Sequence, residues 1–567
     1  DKPTFFAECF KIPEDHKHRF KGILVDRDKA KIRLLYSASA PAELRQWSEK
    51  TEGYALRVSK DHVDIWASSQ GGYVYGCATL DQLCQQFPQG LPCLAIGDAP
   101  RLARRGIQLC FPQGHTAYRH EYMKALVKQV AKWKLNELYL YLESYFAFPS
   151  LPHMEGPDAM TPAQARELDA LCRAHNITLI PMLNTLAHCG EILATQKYSH
   201  LAEHKCNEDR RLVRPFNLCA SSKEVEKMVD GMLGDLFDCF SSPVIHIGGD
   251  EVSCLGECPA CRKSGDYDKL SLYLKYFGRS LKVLEKNGRR GGIWGDMLLH
   301  HCEKMPASES KRVFSSIRKN AIIYDWHYDG GSGSTMEFFK KAELDTIACS
   351  STHLCYSSTL WPAQAVNMKA LFQEAVNAGI MGGMTTAWGN FIGLHEEQFN
   401  YLHAAAGTML WSGTAGKCAA GNLEIRQFDK AYNLQRYGIR SSALTDYLHF
   451  VGDAAGPVLR ILSPLHGGAL RKCLYHTDSP LLFWTKYASQ LANGKLAMYA
   501  SAVKRAREAW KKAQKAYGKA KGDYFWMHEG ALLMHEHLLA RFIATEKAYA
   551  FYDQAAAAQY RRQGAFG

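Results

Sequence analysis

The sequence predicts an α/β protein: a (β/α)8 TIM barrel over residues 99–415, preceded by a small α+β domain over 1–98 and followed by a helical region over 416–567. Three observations carry that expectation. Eight apolar, strand-like runs alternate with amphipathic helical patterns over about 300 residues, the size and rhythm of such a barrel. The stretch YALRVSKDHVDIWAS (residues 54–68) alternates with period two, as half-buried strands do. Beyond residue 416 the strand-like runs cease and helical spacing takes over.

In the leading domain, Gly71-Gly72 reads as a turn into a helix over 75–87, with Leu80, Leu83, Cys84 and Phe87 on one face. Pro92 to Pro100 reads as a connector. The barrel runs are RGIQLCF (105–111), ELYLYLE (137–143), TLIPMLN (178–184) and VIHIGG (244–249). RGGIWGD (290–296), AIIYDWHY (321–328), DTIACSS (345–351) and MGGMTTAW (381–388) complete the set. Strands apolar on both faces and separated by helices imply parallel pairing. The clearest intervening helix spans 223–239, with Val225, Met228, Val229, Met232, Leu233 and Leu236 on one face and Ser221 or Ser222 as its cap. Near the C-terminus, Leu496 to Lys521 is rich in Ala and Lys; a solvated face on a packed helix explains this more simply than a membrane or polymer contact.

Composition excludes several classes. The 567 residues are 47% hydrophobic, too apolar for a disordered chain. No run of about 18 apolar residues exists, so no membrane-spanning helix is expected. The net charge of +12, from 69 basic against 57 acidic residues, is small for this length and does not point to a nucleic-acid partner. The 18 cysteines are the unusual count. Cys77, Cys84, Cys110, Cys239 and Cys349 sit in apolar runs and read as small buried hydrophobes. So many cysteines lean toward a reducing interior. A start at Asp1 leans the other way, toward a removed leader and an exported (periplasmic or secreted) protein, with the cytoplasm as the alternative.

The most informative segment is His246-Ile247-Gly248-Gly249-Asp250-Glu251-Val252. An apolar strand runs into two glycines and then two adjacent acids. Barrel active sites lie at the C-terminal ends of the strands. Like charge and burial there should raise one pKa, so that one acid stays protonated while the other ionises, the division that glycoside hydrolysis needs.

At these residues the chain resembles glycoside hydrolase family 20, the β-N-acetylhexosaminidases, whose signature H-x-G-[GA]-D-E is similar to HIGGDE. DAPRLARRG (98–106) resembles the family's entry into strand one, and LIPMLNTLAH (179–188) its strand-three segment ending in a histidine. The likeness covers residues 50–411, and its strand-two and strand-three wording, NELYLYLES and LIPMLNTLAH, is closer to the hexosaminidase D-like branch. The resemblance implies an exo-acting enzyme that removes terminal β-linked N-acetylglucosamine or N-acetylgalactosamine from a glycan or glycoconjugate with retention, without a cofactor. The substrate's acetamido oxygen would be the nucleophile, forming an oxazolinium intermediate. Glu251 would be the general acid and then base; Asp250 would orient the acetamido group and stabilise developing positive charge. Arg105 and His188 would bind the sugar.

Trp294, Trp326 and Trp388 each fall at the end of a strand-like run. A single Trp is more often core, but three at strand ends suit the apolar faces of a pyranose. In the resembled family three tryptophans enclose the sugar, and these are the matching positions. Asp296 and Tyr324 are second choices. Tyr356, with His353 behind it, is the candidate to bond the acetamido oxygen. The family's Trp-x-Glu is here Trp388-Gly389-Asn390, so Asn390, or Glu396 or Glu397 further on, takes the place of that Glu.

Cys254, Cys258 and Cys261 follow the acids directly, and Cys258-Pro-Ala-Cys261 has the spacing of a metal knuckle. With Cys206, Cys219, Cys302, His300 or His301 as a further ligand, they could hold a structural zinc. The same C-x3-C-x2-C spacing fits an iron–sulfur cluster of the radical S-adenosylmethionine type. That enzyme class, and a non-catalytic carbohydrate-binding barrel, are the rival functions.

Overall fold

In the computed structural model the described residues are 32–110, 118–203, 217–352, 363–388, 396–412, 423–462, 494–518 and 524–563, apart from 253, 264, 266, 267, 303, 304 and 329. They fall into two units.

The first unit opens with a four-stranded sheet in the order β1-β3-β2-β4, made of β1 (Ile32–Tyr36), β2 (Tyr54–Val58), β3 (Val63–Ala67) and β4 (Leu94–Asp98). β2 and β3 form the expected antiparallel pair across residues 54–67. β4 corrects the connector expectation. Its five residues pair antiparallel with β2 at the sheet edge, where short length and flanking prolines hide a strand from pattern reading. The helix α1 (Gln70–Gln86) starts earlier than expected, because Ser69 accepts a hydrogen bond from the Gly72 N–H at 3.2 Å and caps it. Gly71-Gly72 is thus the first helical turn. A Cβ on Gly72 would come within 2.4 Å of the Gly53 carbonyl oxygen, so glycine permits the close approach of helix and sheet. The buried stretch is Gly71–Asp81, and Cys84 ends exposed where the helix leaves the sheet.

All eight barrel strands form: β5 (Arg104–Cys110), β6 (Glu137–Tyr141), β7 (Thr178–Met182), β8 (Val244–His246), β9 (Arg290–Trp294), β10 (Ala321–Trp326), β11 (Asp345–Ser351) and β12 (Gly382–Thr386). Every pair is parallel, and β12 closes onto β5. The helix α2 (Lys223–Cys239) spans its predicted range and buries Val225, Val229, Met232, Leu233 and Leu236, with Ser222 accepting from the Val225 N–H.

The barrel interior carries charge at its lower layer. Arg104 donates to Glu137 at 2.5 Å and to Tyr324 at 3.2 Å, and Tyr139 donates to Glu137 at 2.6 Å. Pairing and hydrogen bonding satisfy these buried groups.

The second unit contains α3 (Leu423–Tyr437), α4 (Ala443–Leu462), α5 (Lys495–Tyr517) and α6 (His528–Gln563). α5 packs along α4. It buries Tyr499, Ala502, Val503, Ala506, Trp510 and Ala513 at helical spacing, leaving Lys504, Lys511, Lys512 and Lys515 exposed, the solvated face that the sequence suggested. No helix of the described residues is long and apolar enough to cross a membrane.

Candidate active site

The site is built where β7 and β8 end side by side, with Met182 and His246 as register partners. Beyond β8 the chain turns through Gly248 (φ +78°) and Gly249 (φ +102°), both in the region that favours glycine. A Cβ on Gly248 would lie 2.5 Å from Asn184 Oδ1, and one on Gly249 2.6 Å from the Tyr273 hydroxyl. The turn is held by the Gly248 N–H donating to His246 Nδ1 at 3.2 Å and by Tyr273 donating to the Gly249 carbonyl at 2.8 Å. His246 is buried, and burial pushes it down to about 3, so it is neutral.

This turn delivers Asp250 and Glu251 differently. The Asp250 side chain is 15% exposed and that of Glu251 60%. Glu251 itself has φ +49°, a conformation that costs free energy in a non-glycine residue and is found at functional sites. Its backbone N–H is held by Asp296 Oδ2 at 2.9 Å. His188 (φ +55°), on the loop after β7, places Nε2 3.3 Å from Asp250 Oδ2 and 3.3 Å from Glu251 Oε2. Burial opposes charge on this imidazole, but Asp250 foremost and Glu251 next outweigh it and push His188 up to about 10. Among the described residues Asp250 Oδ1 is buried with no hydrogen-bond partner.

One expectation is corrected here. Glu251 was expected to be held protonated by its neighbour. Its carboxyl instead lies below the ordinary range, because the hydrogen bond with His188 outweighs partial burial. The raised carboxyl is Asp296, pushed up to about 6 by burial and then by the charge of Asp250.

Arg105 is a second correction. It lies at the start of β5, the end of the barrel opposite the acids, and is 0% exposed. Its guanidinium donates to Glu52 Oε2 at 2.8 Å, the Lys134 carbonyl at 2.8 Å, the Leu102 and Ala103 carbonyls at 2.9 Å and the Tyr75 hydroxyl at 3.3 Å. It also faces the rings of Tyr75 and Trp411. It therefore clamps the small domain to the barrel and has no donor left for a sugar.

The tryptophans separate. Trp294 is 1% exposed, its ring 4.5 Å from that of His246 and 6.0 Å from that of Tyr324, so it is barrel core and not an open wall. Tyr324 is likewise fully buried. Trp326 is half-buried, stacks on Tyr328 at 5.1 Å and hydrogen-bonds Asp296, which joins it to the acid cluster. Trp388 is half-buried directly after β12. His353, Tyr356 and Asn390 lie outside the described residues, as does the Glu396 side chain. Glu397 is fully buried in the helical unit. Burial would raise it, but Arg436, 2.8 Å away, and His528 hold it below the ordinary range, so it is a structural ion pair and not a sugar ligand.

Tyr141, Glu143 and Asn184 also gather here, with no motif to mark them. Asn184 donates to the Tyr141 hydroxyl, and Tyr141 donates to Glu143 Oε1 at 2.7 Å. A signal was present: the runs ELYLYLE and TLIPMLN each end on a polar residue at the strand's C-terminal end.

The cysteines regroup. Cys254 is disulfide-bonded. Its sulfur is therefore withdrawn from any thiolate set, and the iron–sulfur reading, which needs Cys254 with Cys258 and Cys261, fails. Cys258 and Cys261 instead meet Cys219 and Glu203. Neither His300, His301 nor Cys302 joins them.

The description "Glycosyl hydrolase family 20, catalytic domain" matches residues 105–413, and "Glycosyl hydrolase family 20, domain 2" matches residues 14–99. The chain is 26% identical over 344 residues to a beta-hexosaminidase of Akkermansia muciniphila, covering 54% of this chain and 64% of that protein. It is 26% identical over 303 residues to a beta-N-acetylhexosaminidase of Cellulomonas fimi, covering 47% and 53%. The matches thus span less than two thirds of these relatives. Among solved structures, the exo beta-N-acetylglucosaminidase of Vibrio harveyi aligns with a TM-score of 0.57 at 19% identity, covering 76% of this chain and 71% of that one. The chitobiase of Flavobacterium johnsoniae aligns at 0.55 and 16%, covering 93% and 84%. At these identities the structural likeness concerns the fold.

Proposed function

Because the chain belongs to glycoside hydrolase family 20, we propose that it is an exo-β-N-acetylhexosaminidase acting on terminal β-linked N-acetylhexosamine of a glycan or glycoconjugate. The observation that carries this reading is the unequal exposure of two adjacent acids at the end of β8. Asp250 is mostly buried, with Oδ1 unpartnered among the described residues, while Glu251 is open. A buried carboxylate oxygen needing a donor suits an acetamido N–H. An exposed carboxyl beside it suits a leaving group that comes and goes.

In this reading the substrate's acetamido oxygen attacks the anomeric carbon, and Asp250 aligns it and stabilises the oxazolinium charge. Glu251 protonates the departing oxygen and then takes a proton from water, giving retention. Glu251 is ionised against His188 before substrate binds. A sugar seated over it removes water and raises its pKa toward the value a general acid needs. Trp326, tied to Asp296, offers an apolar wall beside the acid cluster. The chemistry asks for no cofactor.

The deciding experiment compares nitrophenyl β-glycosides of N-acetylglucosamine, N-acetylgalactosamine and 6-sulfated N-acetylglucosamine. Release from at least one is expected, and the sulfated sugar tests whether the net charge of +12 reflects an acidic substrate. No release from any, by a folded protein, would overturn the reading.

A further inference from the structure

Glu203, Cys219, Cys258 and Cys261 are all buried, and their ligand atoms lie within 4.8 Å of one another. Cys219 Sγ is 3.4 Å from Cys258 Sγ and 3.6 Å from Cys261 Sγ, and Cys261 Sγ is 3.6 Å from Glu203 Oε2. A tetrahedral ion with bonds of about 2.3 Å to sulfur and about 2.0 Å to oxygen requires S–S edges of about 3.8 Å and S–O edges of about 3.5 Å. The observed separations match those edges to within a few tenths of an ångström. They are too long for a disulfide, whose sulfurs sit about 2.05 Å apart. A disulfide would in any case use two of the three sulfurs and strand the third.

Glu203 supplies a second, independent reason. Its carboxylate is 0% exposed, and among the described residues no Lys, Arg or His forms an ion pair with it. It accepts from the Cys258 backbone N–H and faces Cys261 Sγ. A buried carboxylate whose neighbours are thiols is costly unless a cation joins them. Three soft sulfurs and one carboxylate in tetrahedral reach select a zinc-like divalent ion over a hard cation such as calcium or magnesium.

We propose that Cys219, Cys258, Cys261 and Glu203 form a structural zinc site that staples the loop after β7 to the loop after β8. The two loops already meet there: the Asn217 side-chain amide donates to the Cys254 carbonyl at 2.8 Å, while the Cys219 N–H donates to the Leu201 carbonyl at 2.8 Å and closes the first loop on itself. The first loop carries His188 and the second carries Asp250 and Glu251. The ion fixes the spacing of the two loops without touching the reacting groups. Four protein ligands close its shell, as in structural sites, leaving no open position for water or substrate.

The test measures metal in the full chain, purified without an affinity tag or chelator. About one zinc per chain is expected, with Cys219, Cys258 and Cys261 shielded from alkylation until a chelator is added. Cobalt added to the demetallated, reduced protein should give thiolate charge-transfer bands and the intense visible bands of tetrahedral coordination. Cys258→Ser and Glu203→Gln should each lose most of the bound zinc, while Cys302→Ser, outside the cluster, keeps it. If the ligand variants fail to fold, the alkylation pattern and cobalt spectrum of the unaltered chain decide. Absence of both zinc and the tetrahedral cobalt spectrum with all three thiols reduced would overturn the proposal. So would zinc retained in Cys258→Ser, or a disulfide within the trio that leaves no binding after reduction.

Discussion

The backbone N–H of Glu251 donates to Asp296 Oδ2 at 2.9 Å, joining the turn after β8 to the residue two past β9. That bond holds Glu251 in its left-handed conformation and so aims its side chain. Asp296→Ala removes the acceptor, and kcat should fall about ten- to a hundredfold, the scale of a small misplacement of a catalytic group. Asp296→Asn keeps an acceptor oxygen and should recover much of the loss. Steady-state kinetics on a nitrophenyl glycoside compares the two. Equal activity in Asp296→Ala and the unaltered chain would show that the bond positions nothing.

Glu251→Gln retains shape and loses the proton. Turnover should fall at least about a hundredfold, the scale of a general acid. A variant with near-normal turnover would remove Glu251 from the role of general acid.

Asp250→Asn should weaken an oxazoline-type inhibitor, because the amide no longer offers a negative charge to the cationic ring. Calorimetric titration reads this directly. Binding of undiminished strength would remove Asp250 from the role given to it.

His188 sets a pH signature. Its pKa is raised in the folded state to about 10, from an ordinary value of about 6.5. The stabilisation is therefore fully present below about 6.5, while the carboxylates stay ionised, and is lost as pH rises through about 10. In His188→Gln the stability deficit relative to the unaltered chain should be largest near pH 6 and shrink steadily toward pH 10. Thermal melting across that window measures it. A deficit independent of pH would mean that the imidazole is uncharged in the fold.

Arg105 separates stability from binding. Arg105→Met leaves Glu52 without its buried partner and should cost about 3–5 kcal/mol. The folded fraction should keep its KM, since the guanidinium lies at the far end of β5 from the acids. Denaturant unfolding and kinetics together test the claim. A raised KM with unchanged stability would restore Arg105 to the sugar pocket.

The barrel was legible because its signal is repeated. Eight apolar runs separated by helical patterns specify parallel strands under helices, and an error in one does not disturb the count. The pair Asp250–Glu251 was legible because two glycines and an apolar strand precede it, a local pattern that fixes which end of the barrel it occupies. By contrast β4 was invisible, since a five-residue edge strand between prolines gains its stability from β2 and not from its own pattern.

The eight barrel strands and the acids at the end of β8 rest on local pattern, and the family resemblance on the wording of HIGGDE and its neighbouring segments. Only the tertiary structure decided what each side chain faces. It turned Arg105 toward Glu52, sank Trp294 under His246 and placed His188 against Glu251. It also replaced Cys254 with Cys219 and Glu203 around Cys258 and Cys261. Charge state and ligation depend on distances of 3–4 Å between atoms far apart in the chain, and those distances are set by how the loops above the barrel fold together.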